Sequence, residues 1–268
     1  MTLEPALLIL FICLALGAVV GGMAGMLGIG GGLIIVPALL YLFIEHLELS
    51  LALAMPMAIA TSLSTIILTA LSSSWAHYKL GNLNRFVLTW AAVGIVFGAI
   101  FGAKIATSID PQLLKRVFAC LVLLIAAQMV FIGRKMSQHK LSRAALGAIG
   151  MATGCVSSVM GIGGGAILVP ALLWFRVNIR QAIGCASFSG LVIALFGSAS
   201  FVLAGWNNLD LPRWSAGYVY LPASLGIVIT SVLTAGFGAK LSHSLNTQLL
   251  KKIFAGFLVI VSLRMLLG

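Results

Sequence analysis

Residues 28–40 read GIGGGLIIVPALL, and residues 161–173 read GIGGGAILVPALL. Eleven of thirteen positions agree, at an offset of 133 residues. Further matches flank this pair. Ala58-Ile59-Ala60-Thr61 aligns with Ala182-Ile183-Gly184-Cys185 at an offset of 124. Gly102-Ala103-Lys104 aligns with Gly238-Ala239-Lys240 at 136, and so does Leu113–Ala119 with Leu249–Ala255. The chain is an internal duplication, and the offset drifts only where gaps differ in length. The reading divides it into a first repeat at 1–133, a basic linker at 134–143 and a second repeat at 144–268. Each glycine of a triplet disfavours helix by about 1 kcal/mol relative to alanine. The backbone is therefore expected to break at the same place in both copies.

Composition says what surrounds those breaks. Of 268 residues, 61% are apolar and only 8% charged, and the mean hydropathy is +1.17. A soluble domain carries about 25% charged residues. Five acids and sixteen bases cannot coat a surface of this size, so most of it faces hydrocarbon. A cytosolic enzyme, a secreted disulfide scaffold and a disordered chain are excluded. The net charge of +11 does not point to nucleic acid, because the bases sit in short gaps between apolar runs. The first run follows Glu4 without a basic leader or an obvious cleavage site, and reads as a retained helix. Cys13, Cys120, Cys155 and Cys185 all lie in apolar stretches without a CxxC pair and read as buried free thiols.

Ten apolar runs follow one another: Ala6–Gly25, Leu33–Ile44, Leu51–Ser72, Phe86–Ala106, Leu113–Ile132, Ala144–Met160, Ala166–Phe175, Ala182–Ala204, Ser215–Ala239 and Leu249–Leu267. Most approach the ~20 residues that cross ~30 Å of hydrocarbon. The second run of each set reaches only about 15–20 Å and reads as a half-helix or one arm of a re-entrant hairpin. The expected fold is all-α and polytopic, with two inverted repeats of five segments each. Placing the gap 134–143 in the cytoplasm puts eleven of the sixteen Lys and Arg inside, which satisfies the positive-inside rule. Both termini then fall outside. Inverted repeats are the plan of many secondary transporters.

Chemistry is expected at the breaks. Gly28, Gly30, Gly31 and Gly32 precede one short run, and Gly161, Gly163, Gly164 and Gly165 the other. Irregular backbone at membrane depth is tolerated only against protein or a water-filled cavity. The amides at a helix start carry partial positive charge, and glycine lets a ligand reach them, so two such starts meeting would form an anion site. Close helix packing is the competing explanation. It accounts for Gly94, Gly98 and Gly102, spaced at i+4, but not for a duplicated break followed each time by a proline. Pro37 and Pro170 are read as hinges. Neither a preceding strand nor a following Lys-Ser/Thr supports a nucleotide loop.

Thr61, Ser62 and Ser64 in the third run of one copy, and Cys185, Ser187 and Ser189 in the other, offer polar atoms without charge. Such groups also commonly bond their own helix. The repeat pairs Thr61 with Cys185; a one-residue shift would pair Ser62 with Ser187. His77, Asn82 and Asn207 lie in the gaps after those runs, and Gln128 is a rare polar group in the fifth. They are gating or coupling candidates, against ordinary roles at the interface, in turns and between helices. No acid lies in the middle of a run, so the usual proton or cation relay is lacking. No zinc, hydrolase or His/Cys metal motif occurs. Neither a metal, a cofactor nor an enzymatic reaction is expected.

The doubled GIGGG-xxxVPALL, Ala58-Ile59-Ala60-Thr61-Ser62 and the His77…Gly81-Asn82 gap resemble the sulfite exporter TauE/SafE family. The resemblance covers both halves. It implies a bacterial inner-membrane permease for sulfite, thiosulfate, sulfonates or related small anions. By motif it implies a site at Gly28, Gly30, Gly31, Gly32, Thr61, Gly161, Gly163, Gly164 and Gly165. Gly184-Cys185-Ala186-Ser187 departs from the Gly-Thr-Ser expected there. The partners expected are a small anion and the lipid bilayer, and a homodimer is compatible. Export of the anion by alternating access is the expected function, with a proton- or sodium-coupled organic-anion importer as the alternative.

Overall fold

The computed structural model describes residues 3–27, 31–131, 142–242 and 247–267. The first five helices are α1 (Leu3–Leu27), α2 (Gly32–Leu47), α3 (Leu51–Lys79), α4 (Arg85–Ser108) and α5 (Pro111–Phe131). The other five are α6 (Arg143–Met160), α7 (Gly165–Trp174), α8 (Ile179–Gly205), α9 (Leu221–Ser242) and α10 (Thr247–Leu267). A small hairpin, β1 (Ser215–Ala216) with β2 (Val219–Tyr220), precedes α9. Among the described residues six helices are long and apolar enough to cross a membrane. Phe11, Leu203 and Leu233 are 66%, 75% and 73% exposed, which suits hydrocarbon and not water. The fold is an all-α polytopic membrane protein.

Polar residues in the gaps cap helices. The side chains of Asn84, Ser142 and Asn178 accept from Val87 N, Ala145 N and Arg180 N at the starts of α4, α6 and α8. Asp110 does the same for α5 through Gln112 N and Leu113 N.

Several boundaries differ from the apolar runs. α2 has 16 residues, about 24 Å, because Glu45 to Leu47 stay helical until Glu48 caps the helix in the left-handed region. α7 has ten residues, as its short run implied. α3 continues past Ser72 to Lys79, so His77 is helical and not in a loop. The ninth run begins as the hairpin, and its helix starts only at Leu221. The offset between copies rises from 124 to 136 across this hairpin, which is the extra length of the second copy. Of the linker, residues 134–141 lie outside the described residues, Ser142 is a helix cap and Arg143 is already helical. Cys13 and Cys185 are buried and Cys155 is half-buried, but Cys120 is exposed on α5, where apolar surroundings do not require burial.

Packing links the two copies reciprocally. A side chain at Gly17 or Gly21 of α1 would run into the backbone of Ile227 or Ser231 on α9. A side chain at Gly150 or Gly154 of α6 would run into Ala91 or Ile95 on α4. These are the same positions under the repeat. Both helix pairs run parallel. α3 and α8, corresponding elements of the two copies, run antiparallel: Leu63 meets Gly197, Ala70 meets Gly190, and Ser73 Oγ donates to Ser187 Oγ over 3.1 Å. Gly94, Gly98 and Gly102 pack α4 onto the α6 backbone at Gly147, Met151 and Cys155, the role expected of that stripe.

Candidate functional site

The second glycine segment is a true interruption. α6 ends at Met160, and Gly161 adopts φ 64°, ψ 33°, a left-handed cap that disfavours any side chain. Its N–H reaches the carbonyls of Ser157 and Ser158, and Ile162 N donates to Ser157 O over 2.9 Å. Gly164 is the N-cap of α7 and has no side chain to cap with. Its carbonyl accepts from Ile167 N and Leu168 N. Among the described residues Gly163 N and Gly164 N make no backbone hydrogen bond, and Gly165 and Ala166 stand in the first turn of α7, whose amides have no intrahelical acceptor. Residues 161–164 are buried, and Gly165 and Ala166 are half-buried. A Cβ on Gly164 would stand 3.0 Å from Ile193 Cδ1 and 3.6 Å from Gly190 N, halfway along α8.

Of the first segment, Gly28 and Gly30 lie outside the described residues. Gly31 caps α2 as Gly164 caps α7, with no side chain and with its carbonyl accepting from Ile34 N and Ile35 N. Gly32 is pressed against the other copy. A side chain there would collide with Gly161 O and come 2.9 Å from Ile162 Cα. The start of α2 thus abuts the loop that starts α7. Pro37 and Pro170 lie inside these two helices, and neither proline breaks its helix.

The polar side chains of α3 and α8 resolve the register of the repeat. Thr61 Oγ1 accepts from Tyr220 N over 3.0 Å, at the entry to α9. Cys185 Sγ donates to Asn84 O over 3.9 Å, at the entry to α4. Thr61 and Cys185 are one repeat pair, and Tyr220 and Asn84 are another. Ser62 Oγ donates to Gly161 O over 2.8 Å and holds the second glycine loop. Ser187 Oγ donates to Ile183 O on its own helix. All four side chains expected to line a site are engaged within the protein. Ser64 is engaged too, with Thr61 O and Ser224 Oγ.

Other hydroxyls are not. Among the described residues the Oγ atoms of Ser74, Ser157, Ser158 and Ser198 and the Oγ1 of Thr153 are buried without a hydrogen-bond partner. Sequence reasoning passed over them. The signals present were the Ser157-Ser158 pair just before the break, and Ser74 and Ser198 at the same offset of 124 that aligns Thr61 with Cys185.

The peripheral candidates stand apart. His77 lies 16 residues beyond Thr61 on α3, about 24 Å along the helix. Asn82 Nδ2 lies 3.3 Å from His77 Nδ1, its N–H donates to His77 O, and its carbonyl packs on Gly184. These contacts close a turn with Gly81 at φ 67°. Asn207 is exposed after α8, Gln128 is half-buried on α5, and Lys104 is exposed on α4. Among the described residues no cluster of three His, Cys, Asp or Glu could hold a metal.

Residues 13–265 match the family model described as sulfite exporter TauE/SafE. A probable membrane transporter protein of Haemophilus influenzae is 39% identical over 260 residues, covering 96% of this chain and 98% of its own. The probable membrane transporter protein MJ0441 of Methanocaldococcus jannaschii is 25% identical, covering 97% of both chains. YunE of Bacillus subtilis, named the same way, is 25% identical over 93% of each. No solved structure gives a significant match.

Proposed function

The chain belongs to the sulfite exporter TauE/SafE family, and from that premise we propose that it carries a small sulfur-containing oxyanion or sulfonate out of the cell. The reading is supported by the junction where α2 starts against Gly161–Ile162 and α7 starts from a buried glycine cap without a side chain. A helix start carries roughly half a positive charge, so the start of α7, with the start of α2 packed on the loop before it, favours an anion without a buried lysine or arginine. No buried acid is needed, and no chemical step: the substrate is bound and released unchanged.

The two copies are inverted across the bilayer of the inner membrane, with the linker cytoplasmic and both termini outside. The antiparallel course of α3 and α8 supports this. Alternating access then rocks the α1–α9 pair against the α4–α6 pair about the α3–α8 seam, and Pro37 and Pro170 let α2 and α7 follow. At a membrane potential of ~100 mV, negative inside, each exported negative charge gains ~2.3 kcal/mol. The anion leaves down that field without a coupled cation. Counterflow of labelled sulfite in proteoliposomes tests this: saturable uptake that vanishes with Gly164→Leu is expected. Vesicles with and without the protein taking up label alike would defeat it.

A further inference from the structure

A buried hydroxyl without a partner is unfavourable, and a serine in a membrane helix ordinarily bonds a carbonyl one turn back. Ser157, Ser158 and Ser198 do neither, at 0%, 0% and 5% exposure. Ser157 and Ser158 adjoin the second glycine loop, and Ser198 follows Gly197 on α8. Ser157 and Ser158 form the last turn of α6, and their carbonyls receive the loop's own N–H groups. Ser158 Oγ lies 3.2 Å from where a Cβ on Gly197 would stand. Gly190, Ile193 and Gly197 share one face of α8, and Gly164 packs against the first two. Ile193 and Gly197 are about 6 Å apart along the helix. Two donors that flank a three-oxygen anion, each at about 2.8 Å, stand about 8 Å apart. Gly164 and Ser158 thus pack on the same face of α8 about one helical turn apart, a spacing that matches one such anion.

Resting on the transport reading above, we propose that Ser158 and Ser198 are the side chains that bind the transported oxyanion, opposite the amides that start α7. Thr61 and Ser62 are instead braces: one holds the entry to α9 and the other holds the glycine loop. The site selects a sulfite or sulfonate group, whose separate oxygens accept from donors on two sides, over a halide, which presents no such set of oxygens. Ala24 and Gly25 stand in the first copy where Ser157 and Ser158 stand in the second, whereas Ser198 has Ser74 as its counterpart.

The test is thermal-shift titration of the purified full-length protein with sulfite and methanesulfonate, with chloride as control. Ser158→Ala and Ser198→Ala should each raise the apparent Kd for both sulfur anions by about tenfold or more. Each should leave Tm without anion at or above the parent value, since no protein hydrogen bond is lost. Gly197→Ala, whose methyl fills the space before Ser158 Oγ, should weaken binding likewise. Thr61→Val should lower Tm and leave Kd unchanged. Parent-like Kd in both serine variants, alongside lost binding in Gly164→Leu, would overturn the assignment and leave the transport reading standing. A parent protein that binds neither sulfur anion would remove both.

Discussion

The two glycine segments began as one motif and now differ in what surrounds them. In the first copy Gly32 is wedged against the backbone of its counterpart, and the helix it starts runs 16 residues. In the second copy the helix is ten residues long, and the turn before it carries hydroxyls the first copy lacks. The third helices diverge in the same way. Thr61 makes an ordinary hydrogen bond to Tyr220 N, whereas Cys185 makes a long thiol contact to Asn84 O at the equivalent point. Duplication has kept the interruption and the helix-to-helix contacts, which only the backbone geometry requires. Side-chain chemistry was free to become lopsided. In the proposed site the first copy acts as brace and wedge, and the second as receptor.

The largest effect expected of any change that tests this division is in flux. Gly164→Leu should reduce counterflow to the level of empty vesicles, because the side chain covers the α7 amides. Gly22→Ala, at a site with nothing within 4 Å of the new methyl, should transport normally. Equal loss in both would show that the assay reports folding and not the site. Gly161→Ala comes next. It forces a side chain into the left-handed region, at a cost of about 1–2 kcal/mol, and presses on Ile59 O. Denaturation of the purified protein should register the drop.

A smaller effect contrasts the braces directly. Thr61→Val leaves Tyr220 N–H buried without its acceptor and should cost about 1–3 kcal/mol. Cys185→Ala removes only a weak sulfur donor and should cost well under about 1 kcal/mol. Similar losses at the two positions would mean that the copies are equally loaded. The smallest effect concerns His77. Its Nδ1 is tied to Asn82 at the far end of α3, so His77→Ala should leave counterflow at the parent rate and indifferent to an uncoupler. Flux that loses a proton dependence in this variant would favour the coupled importer.

Much of the fold was legible because membrane helices advertise themselves by hydropathy and the duplication supplies its own alignment. The all-α polytopic class, the paired breaks and the glycine stripe on α4 all follow from that. Boundaries were less legible where capping decides them. Glu45 and His46 look like a gap but remain helical, while Ser215 to Tyr220 look apolar but form a hairpin because Gly217 turns at φ 52° and packs on Val202. The candidate site was legible at its backbone break and not at its side chains. Glycine triplets announce a break, but whether a hydroxyl is free depends on partners distant in sequence. Thr61 meets a residue 159 positions away, and Ser62 one 99 away. Composition cannot show that Ser158 meets no partner.

In the proposed transporter an anion is held by the amides where α7 begins. Glycine-selective 15N labelling of the full-length protein, titrated with sulfite, examines those amides themselves. Saturable shifts at Gly163, Gly164 and Gly165, with Gly22 and Gly81 still, are the predicted result. Spectra in which the α7 glycines stay fixed while sulfite is bound elsewhere would contradict it.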